Sequence, residues 1–160
     1  MLYTNIGSIR SIGVIWDSSN TDQFPHLSRF VQQMQERNIE TKIIGYFPEE
    51  ILPDQYTAIR YLTCIRRKEI DAFFVPVSDE AADFMNKKLD VLIDVNFNKV
   101  FPLHYISSLS MAKFKIGLSG SDGENSHLDL MMDIRQPVDI DVYLKNVMYY
   151  LEMINSGTVN

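Results

Sequence analysis

Apolar and polar positions along this chain switch repeatedly between two periods. Residues 9–16 form a short apolar run closed by Asp17-Ser18-Ser19-Asn20, the pattern of a buried first strand. Phe24, Leu27, Phe30, Val31 and Met34 then recur at helical spacing, with polar residues on the other face. Pro25 places the start of that helix close to itself, because proline is tolerated only in a first turn. Asn38 is expected to stop it, and residues 41–47 read as a second strand. Pro48 and Pro53 mark a loop. Residues 60–66 and 72–77 are rich in aromatic and β-branched side chains, and both look extended: one a strand of the main sheet, the other an edge piece. Ser78 opens a short helix with Asp79 and Glu80 in its first turn and Lys87 and Lys88 in its last, the arrangement that complements a helix dipole. Ala81, Phe84 and Met85 form its apolar face.

Residues 91–95 are the clearest strand, nearly all apolar as a parallel strand covered on both faces should be. Pro102 starts the next helix, with Leu103, Ile106 and either Leu109 or Ser110 inward. Residues 114–118 are another strand, 119–127 a polar loop with Gly120 and Gly123, and 128–134 a last strand. Ile140, Tyr143, Leu144, Val147, Tyr150, Leu151 and Ile154 make a long terminal helix. Strands separated by single helices imply βαβ units. The expected fold is a three-layer, Rossmann-like α/β sandwich with a mainly parallel sheet of five or six strands. It forms one domain over residues 1–160, with loose termini at 1–8 and 156–160. The last polar loop is short enough for a hairpin, so one antiparallel edge strand is expected.

Composition narrows the function classes. A length of 160 residues suits a single domain, and 46% hydrophobic with 22% charged residues is an ordinary globular mix. The formal net charge of −6 repels phosphate backbones. The basic groups, Arg66-Arg67-Lys68, Lys87-Lys88 and Lys113 with Lys115, are not interleaved with aromatics, so no nucleic-acid partner is expected. No apolar run spans a membrane and the N-terminus lacks a signal-peptide pattern, which makes the cytoplasm the expected address. Cys64 is the only cysteine, so neither an internal disulfide nor a thiolate zinc site is expected.

The first strand-to-helix turn lacks the glycine fingerprint of dinucleotide-binding folds, and no Walker A sequence occurs. The glycines of 117–123 lead into a strand rather than a helix N-terminus, which a phosphate cradle would need. His26, His104 and His127 lack the i, i+4 spacing of a helical metal site, and no Gly-x-Ser-x-Gly elbow accompanies Ser107, Ser108 or Ser110. No cofactor, metal or catalytic residue is therefore assigned. Asp94 stands out because it interrupts a buried apolar strand, where a carboxylate needs a partner or a raised pKa. It reads either as a structural carboxylate or as an acid or base near a cleft. In open parallel sheets, ligands bind beyond the carboxyl ends of the strands. If the first strand neighbours 91–95, then Asp17, Ser18, Ser19, Asn20, Asn96 and Asn98 converge on a small polar ligand. The competing reading has Asp17 and the serines capping the first helix.

The segment Leu89-Asp90-Val91-Leu92-Ile93-Asp94-Val95-Asn96, followed by Leu109 to Gly117, Leu128 to Asp133 and the closing helix with Tyr150-Leu151, resembles a family of small Bacteroidetes-type conserved proteins of unknown function. That resemblance covers most of the chain after Ile12 and implies no activity. The stretch 89–117 also resembles the N-terminal half of heptosyltransferase-type glycosyltransferases, where an Asp-apolar-apolar-Ile-Asp strand precedes a helix and a strand ending in glycine. Asp17-Ser18-Ser19 stands where that family carries a glycine–aspartate turn with its catalytic base, and the nucleotide-sugar domain lies outside this sequence. Together these readings make the chain a non-catalytic binding or assembly module, for an unknown small polar ligand or a protein partner. The alternative is a small enzyme or sugar- or nucleotide-handling domain related to the acceptor half of a glycosyltransferase, using Asp17 and Asp94. Apolar side chains around much of the terminal helix leave a face that a second copy can cover, so a homodimer is the assembly to test.

Overall fold

The computed structural model describes residues 7–120 and 127–157, with side chains up to Met153. Loop residues 121–126, Gly123 among them, lie outside that set, as do residues 1–6 and 158–160 of the ends expected to be loose at 1–8 and 156–160. Six strands build one sheet: β1 Ser11–Asp17, β2 Glu40–Phe47, β3 Leu62–Arg66, β4 Val91–Val95, β5 Lys115–Leu118 and β6 Leu130–Met132. The helices are α1 Phe24–Glu36, α2 Asp54–Thr57, α3 Asp79–Asn86, α4 Phe101–Leu109 and α5 Ile140–Gly157. The strand order β3-β2-β1-β4-β5-β6 is the doubly wound Rossmann order.

Strand alternation creates two cores. Val14 and Trp16 of β1 and Val91, Ile93 and Val95 of β4 face the side covered by α1 and α5, where Leu27, Phe30, Tyr143 and Val147 meet them. Ile15, Ile44 and Leu92 face the opposite side and pack against Ala81 and Phe84 of α3 and Leu103 and Ile106 of α4. Gly13 lets α3 approach the sheet; a side-chain carbon there would lie 2.4 Å from Leu89 Cδ1 and 2.9 Å from Phe84 Cζ.

Local chemistry explains several boundaries. Asn38 adopts φ 60 just beyond α1, and Ile39 N–H donates to Met34 O while Asn38 N–H donates to Gln35 O. That pair of bonds is the Schellman closure, and it satisfies carbonyls the helix end leaves open. Ser78 caps α3 by accepting from Ala81 N–H at 3.2 Å, as its type and position suggest.

Two expectations are corrected and one open alternative is resolved. The last strand is parallel, since Ile116 pairs with Leu130 and Leu118 with Met132 in the same direction. The pairing is not that of a hairpin: Asp129, just before β6, lies at the start of β5, where its N–H donates to Lys115 O and its carboxylate accepts from Lys115 N–H, both at 2.8 Å. Residues 72–77 are not a strand but a tight turn closed by an antiparallel bridge from Ile70 to Pro76. Asp71 Oδ1 organises it by accepting from Phe73 and Val75 N–H, and Phe73 and Phe74 stand exposed at its tip. In α4 the inward residue is Ser110, while Leu109 is exposed. Tyr150 likewise lies on the outer side of α5. No helix among the described residues is long and apolar enough to cross a membrane.

Candidate functional site

The switch in strand order falls between β1 and β4, so the loops after these strands share one edge of the sheet. They meet through side chains: Asn98 Nδ2 donates to Asp17 Oδ2 at 3.2 Å. Asp17 Oδ1 accepts from the Ser19 backbone N–H at 3.2 Å and from its hydroxyl at 2.7 Å. Asp17 is only 4% exposed. It shapes its own turn and ties two loops together. It does not cap α1, whose N-terminus carries no side-chain cap. Asn20 contributes a backbone N–H to Asp17 O and no side-chain cap.

Ser18 and Asn96 are committed elsewhere. The fully buried Ser18 donates its hydroxyl to Tyr46 O at 2.9 Å and accepts the Cys64 thiol at 3.6 Å. Gly45 makes room for it, since a side-chain carbon there would fall 2.4 Å from Ser18 Oγ. Asn96 spends both ends of its amide on Val100, donating to its carbonyl and accepting from its N–H at 2.9 Å each. Of the six residues expected to form the site, Asp17, Ser19 and Asn98 are therefore brought into one hydrogen-bonded group that ties the loops after β1 and β4 together.

Open space lies one strand further, between the ends of β4 and β5. A pocket of about 300 Å³ there is lined by Asp94, Phe97, Leu118, Ser119, Leu128 and Gln136, among others. Asp94 occupies the α4 side of β4, in register with Ile15. Its Oδ1 accepts from Asn96 N–H at 2.8 Å, and the Ser107 hydroxyl lies close enough to favour its charged form. Burial outweighs both influences and pushes its pKa up to about 6. Tyr143, reaching from the opposite face, donates its hydroxyl to the Asp94 carbonyl at 2.8 Å.

Behind Asp94 lies a buried polar chain. Ser107 is wholly buried, and its Oγ sits 2.9 Å from His127 Nε2. His127 meets the edge of His104 with ring centroids 5.2 Å apart. Burial first, then the neighbouring His104 and Lys115, pull the His127 pKa down to about 4, so the ring is neutral at ordinary pH. Ser107 has one hydroxyl proton. Whether it goes to His127 Nε2 or the ring donates to the hydroxyl is set by the His127 tautomer. Lys115 Nζ donates to Ser107 O at 2.8 Å and Ser108 O at 3.2 Å, at the helix end where the α4 dipole favours a cation.

The order is carboxylate, hydroxyl, imidazole, with the hydroxyl in the middle. A hydrolytic triad needs the imidazole between the carboxylate and an accessible hydroxyl. Ser107 is buried away from solvent and does not present an accessible nucleophile. Two of these partners left a trace in the sequence. Ser107 falls at helical spacing within the buried row Leu103, Ile106 and Ser110, and Lys115 interrupts an apolar strand. His127 left none, because it lies in a polar loop and is placed by the return of that loop across β5.

A groove of about 600 Å³ runs between α1 and α5; the Arg37–Glu152 ion pair crosses it, and the Lys145–Asp141 pair lies along α5, each at 2.9 Å. Among the described residues no three His, Cys, Asp or Glu side chains are grouped to hold a metal.

A family model described as Family of unknown function (DUF6913) matches residues 3–154, and the chain belongs to that family. No curated protein and no solved structure matches it.

Proposed function

We propose that this member of a family without an assigned activity is a binding module. It holds a small polar ligand in the pocket beyond β4 and β5, with Asp94 as the anchoring group. One observation carries the reading: a carboxylate sits on the wall of an open pocket at the ligand-binding edge of a doubly wound sheet, with lone pairs beyond the one that accepts from Asn96 N–H among the described residues. A volume of about 300 Å³ is at the small end of ligand sites. The sealing of Ser107 behind Asp94 supports binding without covalent chemistry. The cytoplasmic address expected from the sequence goes with this reading. A thermal-shift screen against sugar phosphates, nucleotides, nucleotide sugars and amino acids tests it, because a ligand of the folded state must raise the melting temperature. The expected hit loses its shift in Asp94→Asn. A hit that keeps its full shift in that variant contradicts the reading.

One observation favours an enzyme, a sugar- or nucleotide-handling domain related to the acceptor half of a heptosyltransferase-type glycosyltransferase. A carboxyl titrating at about 6 in a pocket is poised for general acid or base work. Turnover of a nucleotide sugar with an acid limb near pH 6, abolished by Asp94→Asn, would select this reading over pure binding.

A further inference from the structure

We propose that the ligand of the Asp94 pocket is a small organic amine in its protonated form. The inference rests on the binding reading above and names the chemical class that fits.

The argument begins with charge. Asp94 is ionised above pH 6, and a carboxylate taken out of water needs a counter-charge or a full set of donors. Among the described residues it accepts from the Asn96 N–H, with the Ser107 hydroxyl close by. The cations nearby are otherwise engaged. On β5, Lys115 gives its ammonium to the Ser107 and Ser108 carbonyls. From the β5–β6 connection, the His127 ring is neutral, and Asp129 holds the Lys115 backbone. His104 on α4 packs against His127. Tyr143 of α5 donates to the Asp94 carbonyl, not to its carboxylate. Lys99 lies exposed on the rim of the pocket and is not among the causes that set the Asp94 pKa. β1 presents Ile15 alongside.

The walls decide which cation fits. A hard metal ion takes six or more oxygen ligands, and this pocket has one carboxylate with no grouped partners among the described residues. Phe97, Leu118 and Leu128 supply an aromatic ring and aliphatic carbon instead. A carboxylate beside an aromatic wall suits an alkylammonium, which gains both a charge-assisted hydrogen bond and ring contact. Ser119 and Gln136 add polar groups for a hydroxyl or carbonyl on the same molecule.

Two probes of equal skeleton separate charge from polarity: ethanolamine and ethylene glycol, titrated into the full chain and followed by amide NMR shifts. Ethanolamine is expected to give saturable shifts at Asn96, Phe97 and Ser119, with ethylene glycol inert. Its affinity should fall about tenfold from pH 7.5 to 5, as Asp94 takes up a proton, and comparably in Asp94→Asn. The pH arm uses the unaltered protein, so the test survives a variant that folds poorly. Equal shifts from ethylene glycol, or affinity that ignores both pH and the substitution, overturn the amine while leaving a polar pocket. Silence from both probes at those three residues overturns the amine and counts against the pocket as well.

Discussion

Asp94 and His127 shift away from their ordinary pKa values in opposite directions, and each shift has a consequence for stability. Asp94 rises from 3.8 to about 6, so between these values the folded protein holds a proton that the unfolded chain has released. Its contribution to stability is full below pH 3.8 and is lost as pH rises through about 6. His127 falls from 6.5 to about 4, so its contribution is full above pH 6.5 and is lost as pH drops toward 4. In the shared window the two slopes partly cancel. Asp94→Asn removes the first, so urea unfolding should show the variant gaining on wild type as pH rises from 4 to 7.5; a constant difference refutes the shift. Direct titration of the His127 ring by NMR should give a midpoint near 4, and a midpoint near 6.5 would show the ring to be solvated. Asp94 was legible in the sequence because a charge breaking an apolar strand has few causes. Asp17 was legible in place but not in role: its partners, Ser19 and Asn98, come from its own turn and from a loop 81 positions away. The pairing of Ser107 with His127 depends on tertiary contact and carries no local pattern for the imidazole.

At the scale of elements, periodicity located every strand of the sheet, and residues 91–95 matched to the residue. It failed where composition and burial part company. Residues 72–77 have strand-forming side chains, yet Phe73 is 79% exposed and Phe74 takes φ 63, because Asp71 folds the segment into a turn. The direction of β6 was equally hidden, since alternation is the same for parallel and antiparallel strands. The closure of α1 gives a clean test. Asn38→Ala should lower stability by about 1 kcal/mol, and Asn38→Gly should match or exceed wild type, because the position requires a left-handed backbone. Equal stability of all three in thermal unfolding would show that the Schellman closure contributes nothing. On α5, Ile140, Tyr143, Leu144, Val147 and Leu151 are spent on the core, while Val142, Tyr149, Tyr150 and Met153 remain exposed on the outer side. If that side serves assembly, sedimentation should show a dimer at high micromolar concentration that Tyr149→Ser with Met153→Ser converts to monomer. A wild-type monomer at that concentration removes assembly through α5.

For the molecule as a whole, the doubly wound sheet sets where function belongs, and the side chains at its carboxyl edge set which part of that edge is open. Asp17 and Asn98 bond across the two loops at the switch point; the space beyond β4 and β5 stays accessible, backed by Asp94, Ser107 and His127. The fold was readable because a parallel α/β sheet follows from the alternation of elements. The position of the pocket was not, because it depends on which polar side chains satisfy one another across loops. The most direct measurement is a crystal structure of the protein with the strongest hit from the thermal-shift screen. The ligand is predicted to lie between the ends of β4 and β5 with a nitrogen or hydroxyl within hydrogen-bonding distance of the Asp94 carboxylate. A ligand seated in the groove between α1 and α5, with the Asp94 pocket empty, would contradict the account.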